Sequence, residues 1–92
     1  MGGETSAGAI VRHLHELKAA LELVGYLTTI GELHYLTVAN PEVSRLSEVI
    51  SCRRHHADDE QLWFFYSFGE PICPARDTET AAKEIGRVIA TR

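Results

Sequence analysis

The sequence predicts a single α+β domain in the order α-β-β-β-α, with an antiparallel sheet of three to four strands and both helices packed on one face of it. Three observations carry this expectation. An apolar stripe at helical spacing lies near each end of the chain. The middle is rich in Thr, Val, Ile and aromatic residues, the composition of strands. Short polar turns join those middle segments, and hairpin-length connections imply antiparallel pairing. At 92 residues the chain suffices for one domain, spanning 1–92, and not for two. Two helices must cover one sheet face to make a core. Residues 1–6 are polar and expected to be flexible.

The first helix is predicted over residues 7–24. Ile10, Leu14, Leu17, Leu21 and Val24 recur at offsets of four, three, four and three, while Arg12, His15, Glu16, Lys18 and Glu22 fall mostly on other sides. Thr5 or Ser6 can cap its start, and Gly25 can close its end in a left-handed conformation. Residues 26–38 read as strand, interrupted at Gly31 by a bulge or by a tight turn between two short strands. Asn40-Pro41 ends the segment, and residues 41–46 connect it to the next strand.

That next strand runs from Ser47 to His55, its inward set being either Ile50 with Cys52 or Val49 with Ser51. Residues 56–60 form a polar hairpin turn. Leu62 to Phe68 is the strongest strand signal, with apolar residues on both parities, so both of its faces are expected to be at least half covered. Residues 69–74 read as a loop, because Pro71 and Pro74 suit neither a helix nor a ladder. Asp77 caps the second helix, with Glu79 well placed in its first turn and Arg87 and Arg92 near its C-terminus. Ala81, Ala82, Ile85, Val88 and Ile89 make its apolar face.

Charge and cysteine content narrow the function classes. The net charge is −4, which argues against general binding to a phosphate backbone and against docking on anionic membranes. No apolar run approaches the ~20 residues of a membrane helix, and no segment has the order of a signal peptide. Two cysteines are fewer than a disulfide-stapled secreted domain carries, so a reduced cytoplasmic location is expected.

The candidate chemistry is sparse. His13 and His15 lie about 200° apart on a helix and cannot chelate one ion. Cys52, His55 and Cys73 could form a metal site but lack a Cys-x-x-Cys pair; the plainer reading is a buried Cys52 and solvent-exposed histidines. Cys73, with Glu70 and His34 nearby, could serve as a nucleophile, but nothing in the sequence fixes that geometry, and a small apolar residue packing a turn explains it as well. Arg53-Arg54-His55-His56 beside the aromatic strand could hold single-stranded nucleic acid, but Asp58, Asp59 and Glu60 offset that charge, leaving surface ion pairs as the simpler account. Phosphate-loop and dinucleotide glycine signatures are missing, and neither a cofactor nor a metal is expected.

The stretch Leu62-Trp63-Phe64-Phe65-Tyr66-Ser67-Phe68-Gly69-Glu70-Pro71-Ile72, then Pro74-Ala75, Asp77 and Ala81-Ala82, resembles a group of small actinobacterial proteins. Asn40-Pro41 and Arg45-Leu46-Ser47 extend the likeness, which covers roughly residues 38 to 90. The resemblance implies no particular activity and carries over no functional residue. The helix-sheet-helix order is also similar to dimeric secretion-chaperone-like folds, an analogy of fold alone.

What remains is an expectation built on the sheet. If both helices cover one face, the other face carries some of Trp63, Phe65, Tyr35 and Leu36, and a soluble monomer rarely leaves a large apolar patch open. The expected function is that of a small non-enzymatic interaction protein, accessory or regulatory and chaperone-like, which dimerises or binds a protein partner through this face. Trp63, Phe65, Tyr35 and Glu70 are the candidate partner-binding residues. The alternative is a small-molecule or metal site near the loop 69–74.

Overall fold

The computed structural model describes residues 6–43 and 45–90. Two helices and five strands follow one another as α1 (Ser6–Leu23), β1 (Leu27–Ile30), β2 (Leu36–Ala39), β3 (Ser47–His55), β4 (Gln61–Tyr66), β5 (Pro71–Pro74) and α2 (Thr78–Ile89), with a single 3₁₀ turn at His56–Asp58. The strands form one antiparallel meander in the order β1-β2-β3-β4-β5. Both helices pack against this sheet, giving the α+β architecture that the sequence predicts. The flexibility expected of residues 1–6 and the roles of Thr5 and Arg92 fall on or next to positions outside the described residues.

The sheet has five strands where three to four were expected, for two reasons. At Gly31 the chain makes a tight turn. Gly31 N–H donates to the Tyr35 carbonyl at 3.0 Å, and His34 N–H donates to the Gly31 carbonyl at 3.1 Å. His34 takes the left-handed conformation at φ 61°, the position a three-residue hairpin loop demands. The second reason is β5, which occupies residues expected to be loop. Pro71 pairs with Phe65 and Pro74 with Trp63, across a register shift at Phe64/Phe65. Tyr66 N–H bonds the Glu70 carbonyl and Ala75 N–H bonds the Leu62 carbonyl, both at 2.9 Å. The alternation of an antiparallel ladder therefore puts both prolines at positions whose missing N–H faces outward. Proline is tolerated at such edge positions.

Helix α1 ends where glycine allows it. Gly25 has φ 100°, Tyr26 N–H reaches back to the Leu21 carbonyl at 3.1 Å, and Gly25 N–H reaches the Glu22 carbonyl at 3.0 Å. This Schellman pattern satisfies the last carbonyls and turns the chain into β1. It also pulls Val24 out of the apolar stripe, leaving it 64% exposed where the spacing predicts burial. At the start of α2, the Asp77 carboxylate accepts the Thr80 N–H at 3.2 Å as the expected cap. Val88, expected on the apolar face of α2, is half exposed.

The core lies between the helices and one face of the sheet. Leu14, Leu17 and Leu21 of α1 and Ala81, Ile85 and Ile89 of α2 meet Leu36, Val38, Ile50, Cys52, Phe64 and Cys73 in one cluster. Register explains the choice of strand residues. Leu36, Ile50 and Tyr66 form one cross-strand row, and Cys52, Phe64 and Cys73 form another. Ile50 with Cys52 is thus the inward set of β3. Leu36, placed by the sequence among residues of the outer face, is fully buried.

Asn40 locks the far end of this layer. It is 6% exposed, its Nδ2 donates to the Ile89 carbonyl at 3.0 Å, and its Oδ1 accepts the N–H groups of Glu42 and Val43 at 2.8 and 3.2 Å. One side chain joins the end of β2, the loop that follows and the last turn of α2.

Candidate interaction face

The face of the sheet turned away from the helices carries the odd-numbered residues of β3 and β4. Ser51 pairs with Phe65, Arg53 with Trp63, and His55 with Gln61. Because successive side chains on a strand alternate, Arg53, His55, Trp63 and Phe65 share that outer face. Their contacts form a continuous chain. The Trp63 indole N–H donates to the Asp58 carboxylate at 2.8 Å. The His55 ring stands edge-on to Trp63 at 4.7 Å and to Phe65 at 5.4 Å. The Arg53 guanidinium lies 3.9 Å above the Phe65 ring centre, a cation–π geometry.

The turn before β4 positions Asp58. The His56–Asp58 turn is followed by left-handed conformations at Asp59 (φ 54°) and Glu60 (φ 63°), and Glu60 N–H closes on the His55 carbonyl at 3.1 Å. The acidic residues read as neutralising the basic run are thus divided in role. Asp58 holds the tryptophan, and Glu60 pairs with His56 at 2.5 Å.

The four residues singled out from sequence do not stand alike. Tyr35 is 48% exposed and follows the β1–β2 turn, one residue before Leu36, whose partner is Ile50. Trp63 is half-buried on the outer face. Phe65 also faces outward but is only 4% exposed, because Arg53 and His55 cover its ring; the expectation of an open Phe65 is corrected. Glu70 is exposed in the β4–β5 turn, and its charge acts, after those of Glu84 and Glu48, on the Tyr66 hydroxyl, whose pKa is raised first by burial. Glu70 therefore stands at the sheet's end and not with the other three.

Arg53, read from the sequence only as part of the basic run Arg53-Arg54-His55-His56, joins this face although it was not among the candidate partner-binding residues. Two depressions, of about 380 and 300 Å³, share Tyr35, Ser51 and Arg53 as lining. Val49, Tyr66 and Ser67 complete one, and Ile10, Leu33 and His34 contribute to the other. Among the described residues Arg53 has no carboxylate partner. The available signal was the alternation of β3, which sets Arg53 beside an aromatic strand while Arg54 points to the opposite face.

A second concavity lies on the helix side. Ala20, Leu23, Val24, Tyr26, Ala82 and Gly86 line an apolar groove of about 540 Å³ between α1 and α2, with Lys83 and Arg87 at its margin. Leu23 is 87% exposed there.

The metal and nucleophile candidates are separated by the same register. Cys52 and Cys73 both flank Phe64 on the helix side, whereas His55 has the opposite parity. Among the described residues no three His, Cys, Asp or Glu side chains come together as a metal site. Burial pushes the Cys52 thiol up to about 12. Burial, helped by Asp77 and Glu84, pushes Cys73 up to about 11, and its Sγ–H donates to the Asp77 carbonyl at 3.4 Å. Both thiols are buried and stay protonated at neutral pH. Residues 71–74, expected to offer an open loop, are strand β5 with Cys73 turned into the core. Among the described residues no helix is long and apolar enough to cross a membrane.

Compared with known proteins, the chain matches no family model, and no curated protein or solved structure matches it significantly.

Proposed function

We propose that the chain is a small, non-enzymatic accessory or regulatory protein of the cytoplasm that holds a protein partner against the outer face of its sheet. The observation that carries this reading is Arg53. It sits where two depressions meet, beside the half-exposed Tyr35 and the hydroxyl of Ser51, with its charge unmatched by a carboxylate among the described residues. An extended acidic segment of a partner protein fits that chemistry. A carboxylate reaches the guanidinium and hydroxyls, while neighbouring apolar side chains lie against Tyr35 and Trp63. The overall charge of −4 opposes long-range attraction of such a segment, so recognition rests on short-range pairing within about one Debye length, roughly 10 Å at moderate salt.

Trp63 is the sole tryptophan and reports directly on this face. Titration with an acidic peptide lacking tryptophan is expected to give a saturable change in Trp63 emission. Arg53→Glu abolishes that change, while Lys83→Glu, on the helix side, leaves it intact. A response that is absent, or the same in Arg53→Glu as in the parent, overturns the proposal.

The apolar groove between α1 and α2 supports a second reading, in which a small apolar ligand binds beside Leu23 and Tyr26. Its apolar lining and its volume of about 540 Å³ favour it.

A further inference from the structure

The two edges of the sheet differ. At β5 the outward-facing positions of Pro71 and Pro74 have no N–H to offer, so that edge is closed to strand addition. Strand β1, Leu27-Thr28-Thr29-Ile30, carries neither proline nor charge in its own sequence, and among the described residues no strand pairs on its outer side.

The ladder tells which backbone groups β1 leaves open. Gly31 N–H bonds the Tyr35 carbonyl, which makes 31/35 a hydrogen-bonded position. Alternation then makes 29/37 and 27/39 hydrogen-bonded as well. The same phase follows independently from β3, where Asn40 N–H bonds the Leu46 carbonyl and so commits the even-numbered residues of β2 to that side. The N–H and C=O groups of Thr28 and Ile30 consequently point away from β2, along the free edge.

We propose that a second copy of this chain occupies that edge, with β1 pairing antiparallel to β1 about a two-fold axis at Thr29 to make a continuous ten-stranded sheet. In this register Thr28 of one copy faces Ile30 of the other, and the two exchange both backbone bonds. The symmetric pair does the same, so all four open groups on each strand are satisfied. Thr29 meets its own counterpart on the outer face, where threonine pairs are favourable. Leu27, 55% exposed, lies over Gly31 of the other copy, where there is no side chain and nothing stands within 4 Å of the position a Cβ would take.

Three features favour a second copy over an unrelated strand. The segment matches itself in hydrogen bonding, its own four side chains carry no charge, and the closed β5 edge stops growth at two. The dimer would carry two copies of the Tyr35–Arg53–Trp63 face side by side.

Sedimentation equilibrium of the full chain tests this. The parent is expected to be a dimer. Thr29→Lys and Thr29→Glu are each expected to be monomeric, since like charges then stand directly opposite, and an equimolar mixture of the two is expected to restore the dimer. Amide exchange of the parent gives a second readout that needs no variant. Exchange at Thr28 and Ile30 slows as concentration rises, while Thr29, already bonded to β2, does not change. A parent that stays monomeric at millimolar concentration, or variants that dimerise alone as the parent does, would overturn the proposal, as would exchange at Thr28 and Ile30 that is independent of concentration.

Discussion

Asn40 is the single polar side chain on which the described fold depends most, and its replacement has a calculable cost. The side chain makes one bond to the Ile89 carbonyl and accepts two from Glu42 and Val43 while almost wholly buried. At about 1 kcal/mol net per bond, Asn40→Ala removes roughly 3 kcal/mol. For a domain of this size that lowers Tm by about 10–25 °C. Asn40→Asp is the sharper probe. It keeps the acceptor for Glu42 and Val43 but sets a carboxylate against the Ile89 carbonyl and the negative end of α2. Burial and that carbonyl raise the folded pKa of the introduced carboxyl above its unfolded value of about 3.9. A raised pKa contributes stability that is present below the unfolded pKa and is lost as pH rises through the folded one. Urea denaturation is therefore expected to show Asn40→Asp at least as unstable as Asn40→Ala at neutral pH and to recover relative to it near pH ~4. An Asn40→Ala variant within about 0.5 kcal/mol of the parent would refute the clamp, as would an Asn40→Asp variant whose deficit does not shrink on acidification.

Three further outcomes follow from the packing. Phe64→Ala, at the centre of the core, is expected to cost about 3–5 kcal/mol by denaturant unfolding, and Phe65→Ala, covered on its outer side by Arg53 and His55, about half that. A Cβ on Gly86 would come to 3.0 Å from the Tyr26 hydroxyl. Gly86→Ala is therefore expected to be nearly neutral alone and to gain about 0.5–1 kcal/mol in a Tyr26→Phe background, read as a double-mutant cycle. Both thiols, held protonated at about 12 and 11, are expected to resist alkylation near pH ~8 and to react fully on adding denaturant.

The parts of the fold legible in the sequence are those governed by local periodicity. The stripe of Leu14, Leu17 and Leu21 gives α1, Asp77 with Ile85 and Ile89 gives α2, and the run expected from Leu62 to Phe68 gives β4, which ends at Tyr66 where Ser67 and Phe68 enter the turn. Strand β5 was hidden because proline opposes a strand unless its N–H would face an open edge, and which edge is open is settled only by the order of all five strands. Val24 left its stripe because Gly25 ends the helix one residue early. The outer face was legible in part. Alternation sets Trp63 and Phe65 on one side together, but it cannot show that Arg53 and His55 reach diagonally across to cover Phe65. Glu70 looked close because it is near in sequence, yet the hairpin turns it toward Tyr66 and the sheet's end. The apolar groove beside Leu23 had no signal of its own, since it exists only where the last turn of α1 meets α2.

The central claim, that the outer sheet face is the surface on which a protein partner binds, is tested most directly by mapping amide and side-chain NMR shifts while an acidic peptide is added. The account predicts that Tyr35, Ser51, Arg53 and the Trp63 indole shift together and saturably, with Ala20, Val24 and Gly86 unchanged. Shifts confined to those groove residues, or no saturable shift at Arg53 and Trp63, would contradict it.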